Sequence, residues 1–316
     1  MRLFGAILLS VVLQSGSARA SLNSEVLARI RDRSHQESSS ALIISEAGTI
    51  RVQEIAEGTD GKAITVQSIS KTITTLLYLL ALNEGRVASL DTKLSRWYPA
   101  MREDSRSAIT VRSVLTHSSG FDDSDSYWDQ ADPMAFALQQ QPKRAPFQYF
   151  SYSSMAYNFM GDVLDQITGG TEAFLASRLF APLGISHWSW RRDNQGHLRT
   201  SGGVFMEPQD LHRLGLYLLD AMQRSWTAPL WDSRQGTSSC YGTGIWVLRP
   251  GCEHGDPTGL PGTPSDGYYA AGFGGQYIVI IPSLKIVAIR ALDLPASGED
   301  LHPFNDFPML VRRLGL

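Results

Sequence analysis

Ser68 and Lys71 stand three residues apart in the stretch SISKTITTLL, where a long apolar run begins. If a helix starts at or near Ser68, both side chains share one face. The hydroxyl then lies at the positive end of the helix dipole, which favours developing negative charge. A lysine in a desolvated site loses part of its preference for charge, so its pKa falls. Such an amine can act as, or help, the base that activates a serine. The bland alternative is a lysine that snorkels from the helix edge into water. Spacing alone does not separate the two, because a chain of this length holds roughly one Ser-x-x-Lys by chance. Context favours chemistry: a solvated lysine would seldom interrupt the start of so apolar a helix.

Other stretches carry candidate groups. FQYFSYSSMAYNFMGDVLDQITG places Tyr152, Ser153 and Ser154 just before a helical pattern. LTHSSGFDD carries a turn, SGGVFMEPQDLHRLG follows with Gly202 and Gly203, and AAGFGGQYIVIIPSLKIV is a glycine-rich approach to a strand. The chain contains no G-x-S-x-G elbow, no P-loop, no G-x-G-x-x-G and no H-E-x-x-H. That argues against an α/β-hydrolase, a P-loop enzyme, a nucleotide-dependent dehydrogenase and a zincin.

In this order the stretches resemble the serine β-lactamase-like family, in the branch of class C β-lactamases, penicillin-binding proteins, esterases and 6-aminohexanoate-dimer hydrolases. The resemblance runs from about Ala41 to Ala291 and rests on Ser-x-x-Lys, Tyr-Ser-x and the late glycine strand, with Thr-His-Ser-Ser-Gly between them. It implies that Ser68 is the acylated nucleophile, that Lys71 is the lysine of its motif, and that Tyr152 opens the Tyr-x-Asn element and shuttles protons with Lys71. A lysine cation beside the tyrosine would stabilise its phenolate, so that the pair shares one mobile proton. The family's Lys-Thr-Gly or His-x-Gly triplet falls on Gly272, Phe273 and Gly274, and the next residue, Gly275, would give a backbone N–H to an oxyanion hole together with Ser68. The bland alternative for these glycines is a bulge or close strand packing.

Two departures bear on substrate. Gly272 stands where the triplet has Lys or His, which removes a cation that helps hold a β-lactam carboxylate. Ser154 stands in place of the Asn of Tyr-x-Asn, and a hydroxyl replaces that amide only in part. Both lean towards esters or small amides without a carboxylate beside the scissile bond. His117 has no evident third residue to complete a Ser-His arrangement, so it is read as structural. The acidic residues Asp122, Asp123, Asp125, Asp129 and Asp132 are read as a solvated loop, since calcium-loop spacing is not met.

The elements that must position these groups are legible in outline. ALIISEAGTI and RVQEIAE read as a hairpin about a turn-like SEAG. SKTITTLLYLLALNEG is apolar on most sides and ends at Gly85, as a central buried helix would. Helical periodicity recurs in TVRSVLTH, DPMAFALQQQ, SMAYNFMGDVLDQITGG, TEAFLASRLFAPLG and EPQDLHRLGLYLLDAMQ, with Pro in the first turn of two of them. After Cys240 the strands return in YGTGIWVL, GQYIVIIP and KIVAIRALD, and NDFPMLVRRLG closes the chain as a short helix. The expected fold is α+β and β-lactamase/transpeptidase-like: one antiparallel sheet built from both chain ends, with helices packed on it and an inserted helical region. The expected division is an α/β part of about 21–70 plus 236–316 and a helical part of about 71–235, within a single catalytic domain.

Bulk properties bound the rest. The chain has 316 residues, 43% hydrophobic and 19% charged, a globular composition. Its net charge of −3 gives no reason to expect nucleic acid or an anionic membrane as a partner. Arg2, the apolar run LFGAILLSVVL and Ala18-Arg19-Ala20 read as a secretory signal peptide over residues 1–20, since the run is too short to span a bilayer. Cys240 and Cys252 are the only cysteines, and an oxidising compartment would join them. The expectation is therefore a periplasmic or secreted serine hydrolase needing no metal and no cofactor, acting on a small ester or amide, without stable membrane insertion. A penicillin-binding D-Ala peptidase or β-lactamase using the same residues, and a catalytically silent binding protein on the same fold, stay open, as does the oligomeric state.

Overall fold

A computed structural model describes residues 22–252, 262–294 and 303–316. The signal-peptide expectation for residues 1–20 falls outside them. Among the described residues, nine strands form two sheets. The larger has the order β2-β1-β9-β8-β7-β6, from β1 (Ala41–Glu46), β2 (Thr49–Ile55), β6 (Trp246–Leu248), β7 (Gly267–Gly272), β8 (Gln276–Ile281) and β9 (Ile286–Ala291). Every pairing in it is antiparallel. The smaller sheet has the order β3-β5-β4, from β3 (Ile64–Thr65), β4 (Trp188–Trp190) and β5 (Val204–Met206). The α+β sheet built from both chain ends is thus present, with β1 paired directly to β9, Ile43 opposite Ile289.

Both faces of the large sheet are covered, so β1, β8 and β9 are buried at every position rather than at alternate ones. Side chains still alternate in direction along each strand. Leu42 and Ile44 of β1, with Val279 and Ile281 of β8, face one core with Ile30, Leu310 and Leu314. Those last residues come from α1 (Ser24–Gln36), α10 (Phe307–Arg312) and the 3-10 turn after it. Ile43, Ile278, Ile280, Val287 and Ile289 face the larger core on the opposite side. There α8 (Pro208–Ala221) lies on β8 and β9. Its Gly215 is the point of closest approach: a Cβ there would stand 2.6 Å from Val287 Cγ1.

The helical region runs between the two halves of the sheet. Its axis is α2 (Ile69–Asn83), in which twelve of fifteen residues are buried. A helix buried on all sides must satisfy its polar side chains internally. Thr72 Oγ1 donates to the Gly244 carbonyl at 2.5 Å, Thr74 Oγ1 to the Thr200 carbonyl at 3.0 Å, and Thr75 Oγ1 pairs with the Tyr157 hydroxyl at 2.7 Å. These bonds tie α2 to the two loops and the tyrosine that surround Lys71. Around it stand α3 (Val111–Leu115), α4 (Pro133–Gln139), α5 (Ser154–Tyr157), α6 (Met160–Thr168), α7 (Thr171–Leu175) and α9 (Ala228–Trp231). The stretch SMAYNFMGDVLDQITGG expected as one helix is two, α5 and α6, separated at Asn158-Phe159. Asn158 is buried there and spends its side chain on the Tyr127 hydroxyl and the Ser201 N–H instead of on a helix.

The joined Cys240–Cys252 pair, with Cα atoms 5.1 Å apart, closes a loop that contains β6. Among the described residues no helix is long and apolar enough to cross a membrane.

Candidate active site

Ser68 occupies the N-cap position of α2, with φ −66° and ψ −5°, and its hydroxyl makes no capping bond. The hydroxyl is therefore available. A sharp turn presents it: Gln67, just before it, has φ +50°, the left-handed region that non-glycine residues enter at a cost of order ~1–3 kcal/mol. Ser70 holds the turn, its Oγ donating to the Gln67 carbonyl at 2.6 Å and accepting the Val204 N–H of β5 at 3.0 Å.

Lys71 lies one turn into the helix and is 1% exposed. Its Nζ is 3.0 Å from Ser68 Oγ, 3.2 Å from Ser154 Oγ and 2.9 Å from the Ser201 carbonyl. Burial lowers its pKa to about 7, and the nearby Asp123 charge offsets this in part. A neutral amine has two N–H groups and one lone pair. The Ser201 carbonyl can only accept, so it takes one N–H; Ser154 Oγ takes the other; the lone pair is left for the Ser68 proton.

Tyr152 stands beside this pair. Its ring lies 4.6 Å from Lys71 Nζ. Burial pushes its hydroxyl up to about 12, against a smaller opposite effect of its hydrogen bond with Ser68. The stabilised phenolate expected from the sequence is thus corrected: burial keeps Tyr152 a phenol at neutral pH, with its hydroxyl bonded to Ser68. The ring is clamped between His117, stacked at 4.1 Å between centroids, and Trp246, stacked at 5.9 Å. His117 is buried, its pKa lowered well below the usual value by burial and then by Lys71. Its Nδ1 accepts the Ser153 N–H at 3.1 Å, so the neutral ring carries its proton on Nε2. His117 thus touches Tyr152 and the backbone beside it, and not Ser68.

Residue 275 is a second correction. The Gly275 N–H is spent on the Gly272 carbonyl inside the β7–β8 turn, at 3.1 Å. Gly274 and Gly275 turn away from the site: an added Cβ would meet Leu294 at 2.4 Å and the Pro303 carbonyl at 2.0 Å respectively. Gly272 directs its carbonyl into the turn, so the backbone groups of Ala271 and Phe273 face the other way. β6 pairs only as far as Tyr269, which leaves that edge of β7 open. Phe273 and Ser68 both line the cavity, and neither N–H has a partner among the described residues. Ser68 and Phe273 are thus the cavity residues whose backbone N–H groups stay unspent among the described residues, and the position expected for the triplet shifts to Ala270-Ala271-Gly272. Gly272 is not a lost cation, since any side chain there would run into the Val66 carbonyl, 2.5 Å from an ideal Cβ.

The cavity has a volume of about 730 Å³. Its walls include the apolar faces of Trp128, Trp246, Leu248, Phe273 and Met309, and it holds Ser154 and Ser201 near Lys71. Asp123 and Asp125 also line it, so part of the acidic loop is cavity wall and not only solvated loop. Arg199 lines it as well. Sequence reasoning missed Arg199, Trp128, Trp246 and the Ser201 carbonyl as site groups, and it gave Phe273 the middle of the triplet rather than a free backbone N–H. Only the stretch around Gly202 and Gly203 pointed to that loop, and a backbone carbonyl has no signature in residue type. No group of acidic, histidine or cysteine side chains that could hold a metal occurs among the described residues.

Comparison with known proteins decides the family. The Beta-lactamase family matches residues 29–302. This chain belongs to the β-lactamase family. Membership of this family, together with its similar hydrolase structures, supports a serine hydrolase. Among solved structures, the hydrolase EstCE1, described as having promiscuous acyltransferase activity, is similar at a TM-score of 0.69, with 16% identity over 92% of this chain and 98% of that one. A protein described as a 6-aminohexanoate-dimer hydrolase from Bacillus anthracis is similar at 0.69, with 14% identity over 89% of this chain and 81% of that one. At these identities the likeness is one of fold. A curated relative from Dichelobacter nodosus, described as fimbrial assembly protein FimD of serogroup D, is 30% identical over 124 residues, 36% of this chain. The matched segment spans 31% of that relative's length.

Proposed function

We propose that this member of the β-lactamase family cleaves an ester or a small amide through an acyl-enzyme on Ser68. The observation that carries the reading is the Ser68 hydroxyl 3.0 Å from a buried Lys71 amine whose pKa lies near 7. In this reading Lys71 takes the Ser68 proton as Oγ bonds to the substrate carbonyl carbon. The electron pair of the C=O moves to oxygen, held by the Ser68 and Phe273 N–H groups; losing one such donor typically costs about 10²–10³ in rate. On collapse the leaving oxygen or nitrogen receives a proton from Tyr152, which is replenished from Lys71. Water then attacks the acyl-Ser68, giving its proton back by the same route. No step calls on a metal or cofactor.

Ester or amide preference is supported by the lack of a cation on β7 and by the apolar walls of the cavity. The Cys240–Cys252 disulfide supports a working place in an oxidising compartment, the periplasm or outside the cell. The test is acylation. The mature protein with an activated ester should give a covalent adduct on Ser68, absent from Ser68→Ala. Fast turnover of a penicillin would move the assignment to a β-lactamase. A stable penicillin adduct would move it to a D-Ala peptidase, and no adduct with any acyl donor would leave a binding protein on this fold.

A further inference from the structure

Arg199 is the only cationic side chain that lines the cavity among the described residues. It belongs to the loop that supplies the Ser201 carbonyl to Lys71, on a different wall from β7. Its backbone is fixed: the Arg199 carbonyl accepts the Trp190 indole N–H at 3.0 Å and the Gly203 N–H at 2.8 Å. Its guanidinium lies over the Trp128 ring, 4.3 Å from the centroid. Trp128 is in turn held edge-on by Tyr127 at 4.8 Å. A guanidinium packed over a ring keeps N–H groups that the ring does not accept, and these can form a fork for a carboxylate.

No carboxylate among the described residues fills that fork. Among the described residues the Arg199 side chain has neither an ion pair nor a hydrogen bond. Asp193 acts on it only at a distance, and Asp193 Oδ1 is occupied by the Gln195 and His197 N–H groups. Asp123 Oδ1 accepts the Met155 N–H, and its charge acts on Lys71 instead. A half-buried cation in a catalytic cavity that forms an ion pair with neither of the cavity's carboxylates, Asp123 and Asp125, nor with any other among the described residues, is arranged for an anion that arrives with the substrate. We infer that the substrate carries a carboxylate remote from the scissile bond, and that Arg199, stacked on Trp128, receives it. This rests on the Ser68 hydrolase reading. It differs from recognition of a carboxylate beside the scissile bond, because the cation stands on the 199–202 loop and not on the strand that holds the oxyanion.

The test uses matched esters in the intact mature protein. p-Nitrophenyl esters of succinate and glutarate are compared with p-nitrophenyl butyrate, and 4-(butyryloxy)benzoate with phenyl butyrate, so a carboxylate is offered on either side of the ester bond. The charged member of at least one pair should have the higher kcat/KM. That ratio should fall about tenfold or more in Arg199→Gln, the scale of one charge-assisted hydrogen bond, and recover in part in Arg199→Lys. Arg191→Gln removes a neighbouring cation that stacks on Phe205 outside the cavity, and should leave the ratio alone. Equal rates within both pairs, or a preference that survives Arg199→Gln, would overturn the inference and leave the hydrolase intact. If no ester is turned over, the hydrolase reading fails by itself. Calorimetric binding of the corresponding amides to Ser68→Ala then decides: affinity for a charged amide that drops in the added Arg199→Gln background supports the carboxylate site, and no difference rejects it.

Discussion

Lys71 must be neutral when Ser68 reacts, and the protein achieves this by burial alone, without a second cation beside it. Its pKa near 7 sets the expected activity profile. kcat/KM should rise with pH through about 7 and level off above it, as the amine loses its proton; a flat profile between pH 6 and 8.5 would remove Lys71 from the role of base. Lys71→Arg keeps the charge permanently and should cost about 10² to 10⁴ in kcat/KM. The same depression has a stability consequence. The unfolded amine holds its proton up to about 10, whereas the folded one releases it at about 7. Between those values the unfolded state binds more protons, so stability rises with pH across that window. Below about 7 both states are protonated and the full burial penalty applies. Lys71→Met should therefore lose this rise and be the more stable protein at pH 6, as urea melts at pH 6 and 9 would show. Tyr152→Phe removes the proton donor but not the base, so release of a poor leaving group should suffer more than release of nitrophenolate.

At the scale of elements, the site is a junction of three pieces: the start of α2, the start of α5 and the open end of β7. The turn after β7 is fixed from behind by Arg290, whose Nη1 donates to the carbonyls of Gly274 at 2.7 Å and Gly275 at 2.9 Å. Gly275 has φ +81°, and a Cβ would collide with the Pro303 carbonyl. Gly275→Ala should therefore lower stability by about 1–3 kcal/mol and, by moving Phe273, lower kcat more than it raises KM. An unchanged melting temperature and kcat would contradict the placement of the oxyanion donors. This junction also shows what the sequence could and could not reveal. Ser68 and Lys71 were legible because helix geometry alone brings positions three apart onto one face. The start of α5 was legible from Tyr152 and the helical period behind it. β7 was not: Gly-Tyr-Tyr-Ala-Ala-Gly has glycine at both ends and small residues near one, so its end read only as a glycine-rich approach to the next strand, and the oxyanion donor was placed two residues late. The strand exists because β8 pairs with it from Tyr268 to Gly272, a non-local cause.

At the scale of the whole molecule, the two chain ends meet in one sheet and the helical region between them closes the cavity from the other side. That much was legible, since apolar strands at both ends and helical periods between them allow few other arrangements. The loops that set specificity were not. Arg199 reaches Trp128 from seventy-one positions later in the chain, and no local pattern encodes that contact. The small sheet of β3, β5 and β4 escaped notice because its strands are two or three residues long. The disulfide acts at this scale too, because it ties down the loop carrying β6 and Trp246, one side of the clamp on Tyr152. By loop-closure entropy it is worth about 2–3 kcal/mol, so reduction should lower the melting temperature by about 5 °C and weaken activity along with it. Equal melting temperatures with and without reductant would show that the loop is held by packing alone.

The central claim is that Ser68 becomes acylated, and one experiment addresses it most directly. p-Nitrophenyl butyrate is mixed with the wild-type protein and with Ser68→Ala, release of nitrophenol is followed, and each sample is quenched for intact mass. The account predicts turnover and a trapped butyryl adduct on the wild type, and neither on the variant. Turnover that persists in Ser68→Ala, or an adduct that maps elsewhere, would contradict it.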